Sequence, residues 1–241
     1  MTKTDVETRL DGAVKDYIPA SMLDWEGKVA SVLFIGGCNF SCAFCHNPEL
    51  IRHPEKLKSV SFDEITDYLT DKQGWIDGVV ITGGEPTLTP SLRDIIERIR
   101  FLDLPVKLDT NGSRPDILAD LISEGLLDYV AMDIKAVFDK YGSVTNSQIS
   151  PLTIEESINL IIRSRIHHEF RTTAYPAAVT LVDIVEISDY LGNMSAERYA
   201  IQQFRNDRVL NEEAAKVKPY WIKDLERAAE ECNKNLPTKL R

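Results

Sequence analysis

Six apolar, β-branched runs recur along the chain, each followed by a helical pattern, and this alternation constrains the fold more than any other feature. The runs are Val29–Ile35, Gly78–Thr82, Val106–Thr110, Tyr129–Asp133, Glu169–Thr173 and Arg198–Gln203. Their near-continuous apolar character suits strands of a parallel sheet covered on both faces. The helical patterns are Phe62–Thr70 behind an N-cap Ser61, Ser91–Phe101, Pro115–Glu124 ended by Gly125, Thr153–Arg165, and Val182–Leu191 ended by Gly192. Serine in front and glycine behind are the usual start and stop chemistry. Repeated β-then-α units imply right-handed crossovers and an α/β fold. Six are too few for a closed eight-stranded barrel, so the expected architecture is a partial (β/α)6 TIM-like open barrel with parallel strands.

No Pro/Gly/Ser linker interrupts the pattern, so one domain is expected. It divides into an irregular N-terminal segment over residues 1–28, a barrel over 29–206 and a C-terminal helical extension over 207–241. Residues 137–150 read as a polar loop, and a charged helix over 212–233 is interrupted near Pro219. In such folds ligands gather at the carboxyl ends of the strands.

Chemically loaded residues do gather there. Cys38, Cys42 and Cys45 follow the first strand with the spacing C-x-x-x-C-x-x-C, behind Gly36 and Gly37. Three thiolates can hold three irons of a cubane [4Fe–4S] cluster and leave the fourth iron open, whereas most clusters take four cysteines. A structural zinc site needs four ligands, and no second cysteine pair supplies them. The string Cys42-Ala43-Phe44-Cys45-His46 also fits C-x-x-C-H, the c-type haem attachment pattern, which would leave Cys38 idle. Inert buried thiols are the remaining alternative. The fourth cysteine, Cys232, stands alone and reads as an uncoordinated thiol.

Further motifs end the later strands. Gly83-Gly84-Glu85-Pro86 follows the second, Asp109-Thr110-Asn111-Gly112 closes the third and Ala131-Met132-Asp133-Ile134-Lys135 closes the fourth. Alone, the first is a common βα turn and the second a turn with an Asx contact. In the third, charged groups beside an apolar run need partners; a salt bridge is the plain reading. Arg171 and Arg205 end strands five and six and would hold an anionic ligand group, dock an acidic partner loop or form salt bridges at the barrel rim.

Together these motifs resemble the radical S-adenosylmethionine (SAM) superfamily. Within it they are similar to glycyl-radical-enzyme activating proteins, and nearest to those of anaerobic ribonucleoside-triphosphate reductase. The resemblance spans residues 18–206 and rests on LDWEGK, GCNFSCAFCHNPEL, TNGSRP, LLDYVAMDIKA and QQFR. It implies that Cys38, Cys42 and Cys45 hold a [4Fe–4S] cluster whose open iron takes SAM, and that one electron cleaves SAM to a 5′-deoxyadenosyl radical. It further implies that Gly83, Gly84 and Glu85 meet the SAM amino group. Phe44, His46, Asn47, Asp133, Lys135 and Arg171 would contact the cofactor, while Asp109, Thr110 and Asp133 would ligate a monovalent cation, with the Ala131 carbonyl a further candidate. The partners implied are a glycyl radical enzyme and, as electron donor, a flavodoxin or ferredoxin. One departure stands out: the pyruvate formate-lyase activator carries a histidine near its last strand, where this chain has Gln203 or Arg205.

Bulk properties fit an oxidoreductase of this kind. With 241 residues the chain can bury a sizeable core. A net charge of −10 disfavours nucleic acid as a partner, and no apolar stretch approaches the roughly 20 residues of a membrane span. No signal peptide is apparent, so a cytoplasmic protein is expected. Two rivals stay open: a radical SAM enzyme acting on a nucleotide-derived small molecule, and a non-enzymatic iron–sulfur or zinc protein.

Overall fold

The computed structural model describes Leu10 and residues 12–241, which fall into two compact units. The first comprises residues up to Asn39, Glu49–Thr110 and Asp116–Tyr129; the second comprises Phe40–Pro48, Asn111–Pro115 and Val130–Arg241.

In the first unit, strand β1 (Val14–Ser21) runs antiparallel to β2 (Ala30–Ile35). Parallel to β2 lies β3 (Gly78–Gly83), and parallel to β3 lies β4 (Val106–Thr110). Helices α1 (Pro48–Arg52), α2 (Phe62–Asp71), α3 (Leu92–Arg100) and α4 (Pro115–Ser123) fill the connections. Helix α3 shows why the pattern folds this way: Leu92, Ile95, Ile96 and Ile99 are buried at the spacing of one helical face. Trp25 is also buried and packs with Ala30, Val32, Val80 and Phe34.

The second unit holds β5 (Tyr129–Asp133), whose first residue belongs to the other unit, with β6 (His167–Ala174), β7 (Tyr199–Gln203) and β8 (Thr238–Leu240). Strands β6, β7 and β8 pair in parallel. The Ile134 N–H donates to the Arg171 carbonyl at 2.7 Å, fastening the end of β5 to β6. Helices α5 (Tyr141–Thr145), α6 (Pro151–Ser164), α7 (Leu181–Asn193), α8 (Glu212–Ala215) and α9 (Ile222–Cys232) surround them. The Arg241 guanidinium forks onto the buried Glu169 carboxylate at 2.7 and 2.8 Å.

The α/β fold with parallel strands is as expected, and the six expected strands are all present, four of them offset by a residue or two at an end. Other expectations need correction. The irregular segment over 1–28 contains β1, because residues from Val14 to Ser21 pair antiparallel with β2; residues 1–9 and 11 lie outside the described residues. The helical extension over 207–241 ends in a strand, β8. The polar loop over 137–150 contains a 3-10 turn, Phe138–Lys140, and α5. Gly192 lies inside α7, and the Ser61 side chain makes no cap hydrogen bond. Among the described residues no helix is long and apolar enough to cross a membrane.

Candidate active site

The first unit presents Cys38 behind Gly37, with the glycine pair of β3 pressed against that approach. Gly84 N–H donates to the Ile35 carbonyl and Glu85 N–H to the Gly37 carbonyl, each at 2.8 Å. A Cβ on Gly84 would stand 1.9 Å from the Gly37 oxygen, and Gly83 has a φ of +122°. Only glycine tolerates both that crowding and that conformation. The backbone at the end of β3 is thereby locked to the peptide leading into the cysteines.

Glu85 itself is fully buried. One carboxylate oxygen accepts from the Thr87 N–H at 3.1 Å, the Thr87 hydroxyl at 2.5 Å and the Thr110 hydroxyl at 2.8 Å. Its side chain is therefore a brace between the ends of β3 and β4. Asp109, next to Thr110, lies 3.4 Å from the ammonium of Lys107. Lys107 was missed in the sequence, although its i, i+2 relation to Asp109 puts both on one face of the strand. It is buried, donates to the Asp24 carbonyl and sits over the Tyr129 ring.

The second unit presents Cys42 and Cys45 on one turn, with the Cys45 N–H donating to the Cys42 carbonyl at 3.0 Å. The Asn47 N–H points at the Cys45 sulfur at 3.4 Å. Burial pushes the Cys42 thiol up to about 11, against the opposing pull of the Lys135 ammonium. Phe44 is buried with its ring on Tyr175 at 5.0 Å, and Tyr175 stacks edge-on to Phe204 at 4.8 Å. His46 leans on Phe204, and burial lowers its pKa below the ordinary value while Asp207 opposes that shift. The Asn211 N–H donates to the Ala43 carbonyl at 3.0 Å, laying residues 205–211 along the loop. Tyr175 was not singled out from the sequence, and Phe204 only as a member of QQFR; an aromatic just past a strand end was their further signal. Ala43, Phe44 and Tyr175, with Lys140, Ser143 and Thr180, line an open cleft of about 430 Å³.

At the ends of β5 and β6 a charged trio forms. The Arg171 Nε donates to one oxygen of Asp133 at 2.7 Å, and the Lys135 Nζ donates to the other at 2.8 Å. Burial alone would raise the Asp133 pKa, yet the two cations bring it down to about 2. Asp133 in turn raises that of Lys135 against the effect of burial. The trio carries one net positive charge, suited to an anionic group such as a carboxylate. Both oxygens of Asp133 are taken by basic groups, and Thr110 is bonded to Glu85. Arg205 likewise pairs with Asp207 at 2.7 Å. The Asx turn is present, with the Ser113 N–H on the Asn111 carboxamide oxygen at 2.9 Å.

A parallel α/β fold with three cysteines closely spaced in the sequence after β2 defines a class of enzyme built around an iron–sulfur cluster. The chain belongs to the radical SAM superfamily, whose sequence pattern matches residues 32–190. Its cofactors are a [4Fe–4S] cluster and SAM. The sulfur-only donors, two of them on one hydrogen-bonded turn, fit that cluster. A Methanocaldococcus jannaschii protein, named provisionally as a glycyl-radical enzyme activating enzyme, is 34% identical over 213 residues, 85% of each chain. A 7-carboxy-7-deazaguanine synthase of Methanopyrus kandleri is 33% identical over 45% of this chain and 50% of its own. Streptococcus suis SuiB bound to SAM shares the fold, with a TM-score of 0.63 at 13% identity over 85% of this chain. The chain spans 45% of the length of SuiB.

Proposed function

We propose that this radical SAM enzyme activates a glycyl radical enzyme, with anaerobic ribonucleoside-triphosphate reductase the first candidate partner. The observation that carries this reading is the length of the likeness to the Methanocaldococcus jannaschii protein, which runs through most of both chains. When bound, the cluster and SAM supply the radical that removes a hydrogen atom from a glycine of the partner. The protein's own residues bind and orient. Cys38, Cys42 and Cys45 hold the cluster, and the backbone of Gly83, Gly84 and Glu85 offers carbonyls to the SAM ammonium. The Asp133–Lys135–Arg171 trio offers its surplus positive charge to the SAM carboxylate, Asp133 serving to aim the two basic groups. Phe44, His46 and Asn47 shape the loop around the cofactor and exclude water from it. A monovalent cation at Asp109 would compete with the Lys107 ammonium, so the reading does not need one. Electrons come from a flavodoxin or ferredoxin, in the cytoplasm, where thiols stay reduced.

The test is anaerobic mixing of the cluster-loaded protein with SAM, dithionite and the candidate reductase. A glycyl-radical doublet in the EPR spectrum is expected; SAM cleavage with no doublet on any glycyl radical enzyme would overturn the activase reading. A second reading, action on a small nucleotide-derived molecule, is favoured by the partial likeness to the deazaguanine synthase. Deuterium passing from such a molecule into 5′-deoxyadenosine would establish it.

A further inference from the structure

Helix α5, five residues long, cannot be stable by itself; its contacts must hold it, and they lead to two parts of the site. Tyr141 is completely buried. Its hydroxyl donates to the Asp133 carbonyl and accepts from the Lys135 N–H, each at 3.4 Å. At such lengths it serves as a spacer between two backbone groups more than as a strong bond. Its ring meets Phe40 edge-on, with centroids 6.4 Å apart. At the far end of the helix the Thr145 carbonyl accepts the Ser41 N–H at 2.9 Å, and the Thr145 hydroxyl reaches back to the Tyr141 carbonyl at 2.7 Å.

Phe40 and Ser41 immediately precede Cys42, while Asp133 and Lys135 carry the charged trio. The helix thus touches the chain on either side of one spacing, that between the Cys42 sulfur and the Lys135 ammonium. We propose that Tyr141 is a positioning residue, which through α5 fixes the Cys42 backbone against the Asp133–Lys135 segment so that cluster ligand and basic group keep one separation. This deepens the functional reading and rests on its placement of Lys135 against SAM. A hydroxyl suits the task because it can donate to one backbone group while accepting from the next; a phenylalanine ring would fill the space and do neither.

Tyr141→Phe in the cluster-loaded protein tests this. Iron content should stay unchanged, while the SAM dissociation constant, read from the SAM-induced change in the cluster EPR spectrum, rises about threefold, at the low end of what a hydrogen bond is worth. Amide exchange at Ser41 should also speed up by about fivefold, because the bond to Thr145 opens more often. Unchanged SAM affinity together with unchanged Ser41 exchange would overturn the proposal, as would a lowered melting temperature with neither change. Should that variant fail to fold, Phe40→Leu loosens the opposite contact without stranding a polar group, and the same pair of changes is required of it. A wild-type protein that binds no SAM would sink the functional reading instead, and Ser41 exchange would still decide the role of Tyr141.

Discussion

The Thr110 hydroxyl donates to a carboxylate oxygen of Glu85 at 2.8 Å, joining the end of one barrel strand to the turn after its neighbour. That oxygen also serves both donors of Thr87. Removing the acceptor strands several buried donors, whereas removing one donor leaves the rest in place. Glu85→Ala should therefore cost about 3 kcal/mol and Thr110→Val about 1 kcal/mol, read from urea unfolding midpoints. Equal losses would mean that Glu85 is not the brace described.

The crowding at Gly84 makes a sharper demand. A methyl group there meets the Gly37 carbonyl at a distance no contact allows, and backbone on both sides must shift. Gly84→Ala should lower stability by about 3 kcal/mol and leave the protein unable to retain iron after anaerobic reconstitution. A serviceable control is Gly74→Ala: its φ is +85°, but nothing lies within 4 Å of the added carbon, so a penalty of about 1 kcal/mol with normal iron loading is expected.

Each of Cys38→Ala, Cys42→Ala and Cys45→Ala should abolish SAM cleavage while shifting the melting temperature of the cluster-free chain only slightly, since each removes one small side chain. Cys232 separates chemistry from packing. It is buried in α9, with its sulfur 3.9 Å from the Ile184 carbonyl. Cys232→Ala should cost about 1 kcal/mol and leave 5′-deoxyadenosine production intact. Residual cleavage in any of the first three would contradict the ligand assignment.

Asp133 predicts a pH dependence. Its folded pKa, near 2, lies below its ordinary 3.8, so between those values the unfolded chain binds more protons. The stabilisation from the trio is therefore complete above about pH 4 and fades as the pH falls toward 2. Urea midpoints of wild type and Asp133→Asn should differ most at pH 5 and converge toward pH 2. The variant should also bind SAM more weakly. A difference independent of pH would remove the charge pairing as its cause.

Much of this was legible in the chain. Strands buried on both faces leave continuous apolar runs, and β4 and β5 begin and end where those runs do. Thiol spacing and glycine pairs are equally local signals. What escaped depends on partners distant in sequence. Strand β1 owes its form to β2, and β8 is three residues long, too short for any periodicity. Helix α5 was obscured because Gly142, Ser143 and Thr145 read as loop chemistry until Phe40 and Ser41 are placed beside them. For the same reason the sequence marked Asp133 as important without deciding between metal and arginine: a carboxylate suits both, and only Arg171, 38 residues further on, settles its pairing.

The fork of Arg241 onto Glu169 has a practical side. Arg241→Ala would take the guanidinium away from a carboxylate sealed deep in the second unit, while sparing the backbone bonds that Arg241 shares with Ile201 and Gln203. Such a variant should thus soften the sheet around β6 and β7, a change that amide exchange can recognise before any spectroscopy is attempted.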